Sequence, residues 1–536
     1  MLSHSEAAGA GSFYYKETGY FKGNLNKESS YYREDGNSPM FWFGVGASNH
    51  DLTGSFKGDD YEKFDKLLNG ELEGKKVTAP TNGKERRSGE DFTSSVPKSF
   101  SIAAINYGDE RIIDALKQSV ENVGVPELEK LVSLRQKING ETTYSKADVF
   151  GAIAIHERSR PTYDAEGLLH VDPQLHIHII IANLLEKANG ELQAAHYKKF
   201  TKDEIRTIDE KIIADFVNRV KALGYDLEKR NGVWEIKAIS KEVCDFYSQR
   251  SEKDIKDGLS KMGLTRETAS AELKQAITSN TRNAKVELTK DGIAELNEIL
   301  AKVKGHHDVL KDYVEQVKGN GKTSQNIEMT GERRNEITKE IDSGLRSLSE
   351  RNSLFKEDEL FKYVNEHNNI GITAAEIKEL LKDSKAITTT KVDHGKEVTY
   401  LTTKLALARD EAIALNIELG KGSMMYDPRK TTSEDVEKAI SNYESRKGFS
   451  LSADQVNAIK IAALSEDMFV IWQGVPGSGK TVAAEIIKDI YEAKDVQVNG
   501  LAPRVTAVNG FNEIGIDSIT SQKWAHSVKS FESGVV

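Results

Sequence analysis

The octapeptide Gly474-Val-Pro-Gly-Ser-Gly479-Lys480-Thr481 leaves the chain around it little conformational choice. It fits G-x-x-x-x-G-K-[ST]. That pattern calls for a buried strand entering, a tight glycine turn, and a helix leaving. The run MFVIWQ (468–473) is strand-like, and VAAEIIKDIYEA from Val482 is helical in pattern. Gly474, Gly477 and Gly479 would let backbone N–H groups close around phosphate oxygens, with the helix dipole behind them. Lys480 is expected to reach the β/γ-phosphates of ATP and Thr481 to ligate Mg2+.

A second pattern is Asp172-Pro-Gln-Leu-His176-Ile-His178-Ile-Ile-Ile-Ala-Asn. Strand alternation puts His176 and His178 on one face and Leu175, Ile177 and Ile179 on the other. Two imidazoles spaced this way can bind one divalent metal. The strand-like run VFGAIAIHERSR offers a third ligand, His156, if the two runs pair antiparallel. His170, in the intervening loop, is a weaker candidate. Three neutral imidazoles leave coordination positions open for Lewis-acid chemistry. A carboxylate is expected to orient one ring. Taken alone, a lone His-x-His reads more simply as surface or packing histidine.

Two tyrosine pairs, Tyr14-Tyr15 and Tyr31-Tyr32, lie near the N-terminus. Aromatic pairs are ordinary core residues, but a phenol activated by a base and a metal is a nucleophile. Gly89-Glu-Asp91-Phe-Thr-Ser-Ser-Val-Pro97-Lys98-Ser99 reads as a short strand, a break, and a helix starting near Pro97. Asp91 would face a tyrosine or a histidine.

The 536 residues are enough for about three domains. Runs of strand and helix alternate irregularly over residues 1–304, which implies α+β architecture. Residues 305–351 are polar and read as a linker, or as a helix bordered by one. Residues 352–432 carry two short helices and a hairpin, the outline of a winged-helix-like connector; the P-loop unit occupies 433–536. A single cysteine, Cys244, excludes an intrachain disulfide and a cysteine-rich metal knuckle. No run approaches ~18 apolar residues, so no membrane insertion is expected, and the chain reads as cytoplasmic. The net charge of −10 argues against nucleic acid as a partner.

The ordered motifs nonetheless resemble one family, the MobF-type relaxase–helicases of conjugative plasmids, which are His-hydrophobe-His single-strand endonucleases. The likeness rests on the two tyrosine pairs, the D-x-T-x-S-x-P-K-S block at Asp91, His156-Glu-x-x-Arg, D-P-Q-L-H-x-H, and the helicase onset. It implies a central antiparallel sheet flanked by helices. It also implies metal-dependent, site- and strand-specific nicking of plasmid transfer-origin DNA, single-stranded or in a hairpin. By resemblance Tyr14 attacks one phosphate, leaving a 5′-phosphotyrosine and a free 3′-OH. Tyr31 or Tyr32 then serves the second strand transfer that religates the DNA. His156, His176 and His178 would hold Mg2+ or Mn2+, and Asp91 would orient a histidine or take the phenol proton.

DNA contacts are expected from Lys98, Arg158, Arg160, Arg282 and Lys285, a local groove within an acidic chain. Gln455 resembles the adenine-reading glutamine of superfamily 1 helicases, and Gly500-Leu-Ala-Pro-Arg504 resembles their motif Ia. No apolar run after Thr481 ends in an Asp-Glu pair, so 433–536 is expected to be an incomplete helicase domain without unwinding activity. The family further implies relaxosome accessory proteins, a type IV secretion coupling protein, and export from the bacterial donor cell with the DNA. The spacing between the tyrosine pairs and an insertion around Pro161–Leu169 both exceed the family pattern. Other readings are a rolling-circle replication initiator, a DNA-dependent ATPase or helicase fragment, and a non-enzymatic origin-binding module.

Overall fold

A computed structural model describes residues 2–7, 39–77, 86–249, 304–424 and 430–527, together with a few positions between 259 and 273. Within those spans residues 139, 160–161, 164–168, 188, 198–200, 326–327, 394–395 and 476 are not described. The chain divides into two compact units, Met1–Lys404 and Leu405–Val536.

A five-stranded sheet organises the first unit. Its strands are β1 (Ser3–Glu6), β2 (Met40–Phe43), β3 (Gly89–Ser95), β4 (Gly151–Arg158) and β5 (Pro173–Ala182). The order is β1-β3-β5-β4-β2, and every neighbour is antiparallel. The expected α+β sheet is therefore present.

β5 lies at its centre because it is apolar on both faces over most of its length. Leu175, Ile177, Ile179 and Ile181 enter one hydrophobic core, with Phe92 of β3 and Ile153 and Ile155 of β4. Ile180 and Ala182 enter a second core on the opposite face, with Met40, Trp42, Phe56, Phe64, Ala152 and Ala154. That second core stops short of the N-terminal end of β5. The side chains that continue its face there are His178 and His176.

Helix α1 (Lys98–Ser101) follows β3, with Pro97 as its N-cap rather than its first helical residue. Helix α2 (Lys202–Ala222) starts at a capping box: Glu204 N donates to Thr201 Oγ1 at 3.1 Å, and Thr201 N donates to Glu204 Oε2 at 3.0 Å. Its Ile208, Ile212, Phe216 and Val220 cover the sheet.

Residues 305–351 are mostly helical, as the second of the two readings has it. They form helices α3 (Lys304–Lys318) and α4 (Gly331–Arg351). Leu310, Val314 and Val317 of α3 join the main core, while Ile337, Ile341 and Leu345 of α4 open a third. Three apolar residues at helical spacing suffice to dock each helix, and the polar remainder hides that stripe from a composition reading.

The third core continues through β6 (Phe355–Lys356), helix α5 (Glu357–His367), helix α6 (Ala374–Leu381), and strands β7 (Ala386–Asp393) and β8 (Lys396–Thr403). β6 and β7 flank β8 in an antiparallel sheet. This module sits on the outer side of α2. Lys211 Nζ lies 2.9 Å from Glu127 and 2.6 Å from Asp358. Arg333 pairs with Glu376 at 2.7 Å, and Ala214 of α2 enters the third core. Burial alone would raise the Glu127 carboxyl, but the Lys211 and Lys130 ammonium groups outweigh it and hold it at about 2. Helix α6 is thus engaged against the outer face of α2 through Glu376, which accepts from Asn218 Nδ2 at 3.3 Å.

In the second unit, helices α7 (Ser433–Lys447), α8 (Ala453–Leu464) and α9 (Lys480–Glu492) share a small core of Val436, Ile440, Tyr443, Ile459, Ile486 and Ile490. Strands β9 (Asn499–Ala502) and β10 (Asp517–Thr520) pair in parallel. The expected strand at 468–473 is absent: these residues have no regular structure, and Ile471 is 88% exposed. Among the described residues β9 and β10 pair only with each other, and 468–473 joins neither. Also among the described residues, no helix is long and apolar enough to cross a membrane.

Candidate metal centre and phosphate loop

The register of β5 assembles the histidines. His176 lies directly opposite His156 of β4, and His178 lies opposite both Ala154 of β4 and Thr93 of β3. Directly opposed residues share a face, so all three imidazoles emerge together. Their ring centroids are 5.2 Å (His156–His176), 4.8 Å (His156–His178) and 5.4 Å (His176–His178) apart. One ligand nitrogen from each lies within 4.8 Å of the others. His170 stands apart from this set; it is buried, 3.7 Å from Asp172.

Two rings have their tautomers set by partners. His178 Nδ1 donates to both oxygens of Asp91, at 2.9 and 3.0 Å. A carboxylate at neutral pH only accepts, so Nδ1 carries the proton and Nε2 keeps the lone pair. His176 Nδ1 donates to the Gln174 carbonyl at 2.7 Å, with the same consequence. The donor set fits a divalent metal: three imidazoles, with a carboxylate behind one and a carbonyl behind another.

Thr93, which the motif reading passed over, contributes here. Its Oγ1 lies 3.1 Å from His178 Nδ1 and donates to Asp91 Oδ1 at 3.4 Å. Its place in the D-x-T block was the available signal. Gln174 acts through its backbone, so its side-chain identity carried no signal.

The expected DNA-contact residues fare differently. Lys98 Nζ donates to the Pro173 carbonyl at 2.8 Å, and burial pushes its amine below the usual lysine range. It braces the start of β5 instead of facing outward. Arg158 is half-buried and donates to the Val171 carbonyl at 3.1 Å.

In the second unit the phosphate loop keeps its local turn. Gly477 and Gly479 have φ of 80° and 85°, the left-handed region that favours glycine. Gly479 is the N-cap of α9, and Lys480 is its first residue. Lys480 Nζ donates to the Gly474 and Val475 carbonyls at 2.7 and 2.9 Å. Thr481 is exposed. Gln455 is committed twice. Its Oε1 accepts from Ser452 N at 2.9 Å in the capping box of α8, and its Nε2 donates to the Ser478 carbonyl at 3.3 Å.

Comparison with known proteins supplies the lineage. The TrwC relaxase family model matches residues 14–302, more than half of the chain. The chain belongs to the TrwC relaxase family. A second family model, an AAA domain, matches residues 450–535. Among curated relatives, the multifunctional conjugation protein TraI of Escherichia coli is 31% identical over 267 residues, which is 46% of this chain. The chain spans only 14% of that relative's length. Among solved structures, conjugative relaxase TrwC in complex with oriT DNA, metal-free, is 27% identical, with a TM-score of 0.44. A copper-bound TrwC–oriT complex is 28% identical, with a TM-score of 0.46. Each of the two covers 57% of this chain and 98% of the other.

Within the TrwC relaxase match, Tyr14, Tyr15, Tyr31, Tyr32, Arg160, Arg282 and Lys285 lie outside the described residues. Asp91, His156, His176 and His178 lie inside both the match and the described residues. Helix α3 begins just past the end of the relaxase match, yet it packs into the same core.

Proposed function

We propose that this chain is a conjugative relaxase that nicks one strand of plasmid transfer-origin DNA and rejoins it by transesterification. The observation that carries this reading is the meeting of His156, His176 and His178 on one sheet face, with the tautomers of His176 and His178 set by Gln174 and Asp91. In this reading the Tyr14 phenolate attacks the scissile phosphorus. The P–O3′ bond breaks, a 5′-phosphotyrosine forms, and the departing 3′-oxygen takes a proton. No phosphodiester energy is lost, so the reverse attack by a 3′-OH reseals the strand. Tyr31 or Tyr32 serves the second transfer.

The three imidazoles would hold Mg2+ or Mn2+. When bound, such an ion supplies positive charge to the non-bridging oxygens of the phosphate. Asp91 orients His178, since both its oxygens are engaged with that ring. The hairpin Val132–Ile138/Glu141–Lys146 is buried at its base, where Val132 and Ser133 pair with His196–Tyr197, and exposes Arg135, Lys137 and Lys146 further out; a two-stranded ribbon of this kind fits a B-DNA major groove. It suits the duplex stem of an origin hairpin.

We assign residues 1–304 to the nicking domain, 352–432 to a winged-helix-like connector, and 433–536 to part of a helicase domain that binds ATP. Relaxosome proteins and a type IV coupling protein are the expected partners in the donor cytoplasm. The deciding experiment is mass mapping of the DNA–tyrosine adduct formed with single-stranded origin DNA and Mg2+. A Tyr14→Phe, Tyr15→Phe chain that still forms the 5′-adduct would sink the assigned nucleophile.

A further inference from the structure

β5 opens with a bulge. Its Pro173 pairs with Arg158 and its His176 with His156, so three steps on β5 match two on β4. Without the extra residue, the Pro173–Arg158 pairing would put His156 opposite Leu175, whose side chain enters the main core. His156 would then lie on the wrong face for His176 and His178. The bulge is what reconciles the strand entrance with the histidine pairing.

A bulge frees backbone groups from the ladder, and each must find a partner. The Pro173 carbonyl accepts from Lys98 Nζ at 2.8 Å. The Gln174 carbonyl accepts from His176 Nδ1 at 2.7 Å. Leu175 N–H donates to Ser101 Oγ at 3.0 Å, and its carbonyl accepts from Val96 N at 3.3 Å. Helix α1 is itself anchored, because Ser99 N donates to Glu235 Oε2 at 3.1 Å and Ile236 N donates to Ser99 Oγ at 2.8 Å.

We propose that Lys98 and Ser101 are positioning residues for the metal centre, holding the bulge so that the Gln174 carbonyl fixes His176 with Nε2 as its donor. This rests on reading the three imidazoles as a metal centre. It replaces the expectation that Lys98 contacts DNA, and the two roles make different predictions.

The test uses the full chain with Lys98→Met, Ser101→Ala and Ser101→Thr. Mn2+ affinity is measured by calorimetry, and the His176 tautomer by imidazole 15N shifts in the metal-free protein. Single-stranded DNA affinity is followed against salt concentration. Lys98→Met and Ser101→Ala are expected to weaken Mn2+ binding by roughly 10–100-fold, the range for losing an outer partner of a metal ligand. They are also expected to mix the His176 tautomers and leave the salt slope of DNA binding unchanged. Ser101→Thr keeps the hydroxyl and is expected to behave as the parent.

Parent-like Mn2+ affinity and tautomer in both Lys98→Met and Ser101→Ala would overturn the proposal. So would equal weakening by Ser101→Ala and Ser101→Thr, since packing would then be responsible. A salt slope reduced by about one in Lys98→Met, with Mn2+ binding intact, would return Lys98 to the DNA. A parent chain that binds no Mn2+ would instead refute the metal centre itself, and the His176 tautomer would still decide the bulge.

Discussion

The histidine sheet and the phosphate loop are both short motifs with a known chemistry, yet they end in different conditions. The histidines sit on two adjacent strands inside a five-stranded sheet, so register alone places His156, His176 and His178 together. The phosphate loop keeps what is local, the left-handed Gly477 and Gly479 and the start of α9, but the strand expected before it is not formed. A glycine turn needs only its own dihedrals and the next helix. A strand exists only through partners. Lys480 shows the consequence: its ammonium group is held by two loop carbonyls.

The comparison can be broken most directly at the histidines. His178→Ala removes a metal donor and leaves Asp91 without its ring. Mn2+ affinity should fall by more than the roughly 100-fold that loss of an outer partner brings. Titration calorimetry checks this, and parent-like binding would dissolve the centre.

Acid should distinguish buried from exposed electrostatics in the two units. Glu127 is held at about 2 against an ordinary 4.5. A depressed folded pKa means its contribution is complete above about 4.5 and is lost as pH falls towards 2. The shift corresponds to roughly 3 kcal/mol at most. Urea unfolding of the first unit at pH 6 and pH 3 should show the loss, and Glu127→Gln should flatten it. Asp435, held at about 2 by the Thr432 backbone N–H and Lys494, lies at the surface, where solvent screens such pairs, so Asp435→Asn should leave the acid response of the second unit nearly unchanged.

The smallest effect is expected at Gln455. Gln455→Ala removes one cap bond and the tether to the Ser478 carbonyl, which should destabilise α8 by about 1 kcal/mol. Thermal unfolding followed at Trp472, whose indole N–H bonds the Ala458 carbonyl of α8, reads this directly. No change in that transition would mean that the loop does not lean on α8.

Much of the site was legible before any fold. Alternation along Leu175–Ile181 put the two histidines opposite the isoleucines that enter the main core, and the run ending at His156 pointed to the third ligand. The sequence left Asp91 facing either a tyrosine or a histidine, and the structure puts it on His178. Composition left 305–351 open between a linker and a helix, because only three buried apolar residues per helix do the docking. Nothing in the sequence signals that Lys98 Nζ bonds the Pro173 carbonyl, because that partner lies 75 residues away.

The sequence by itself determined the candidate histidines, the phosphate-loop turn and the family, because these depend on residue type in short motifs. Only the tertiary structure decided that a bulge brings His156 opposite His176, that Lys98 and Ser101 take up the groups it frees, and that α2 is covered on its outer side. Those outcomes depend on which backbone groups lose their ladder partners and which distant side chains reach them. No local pattern encodes that pairing.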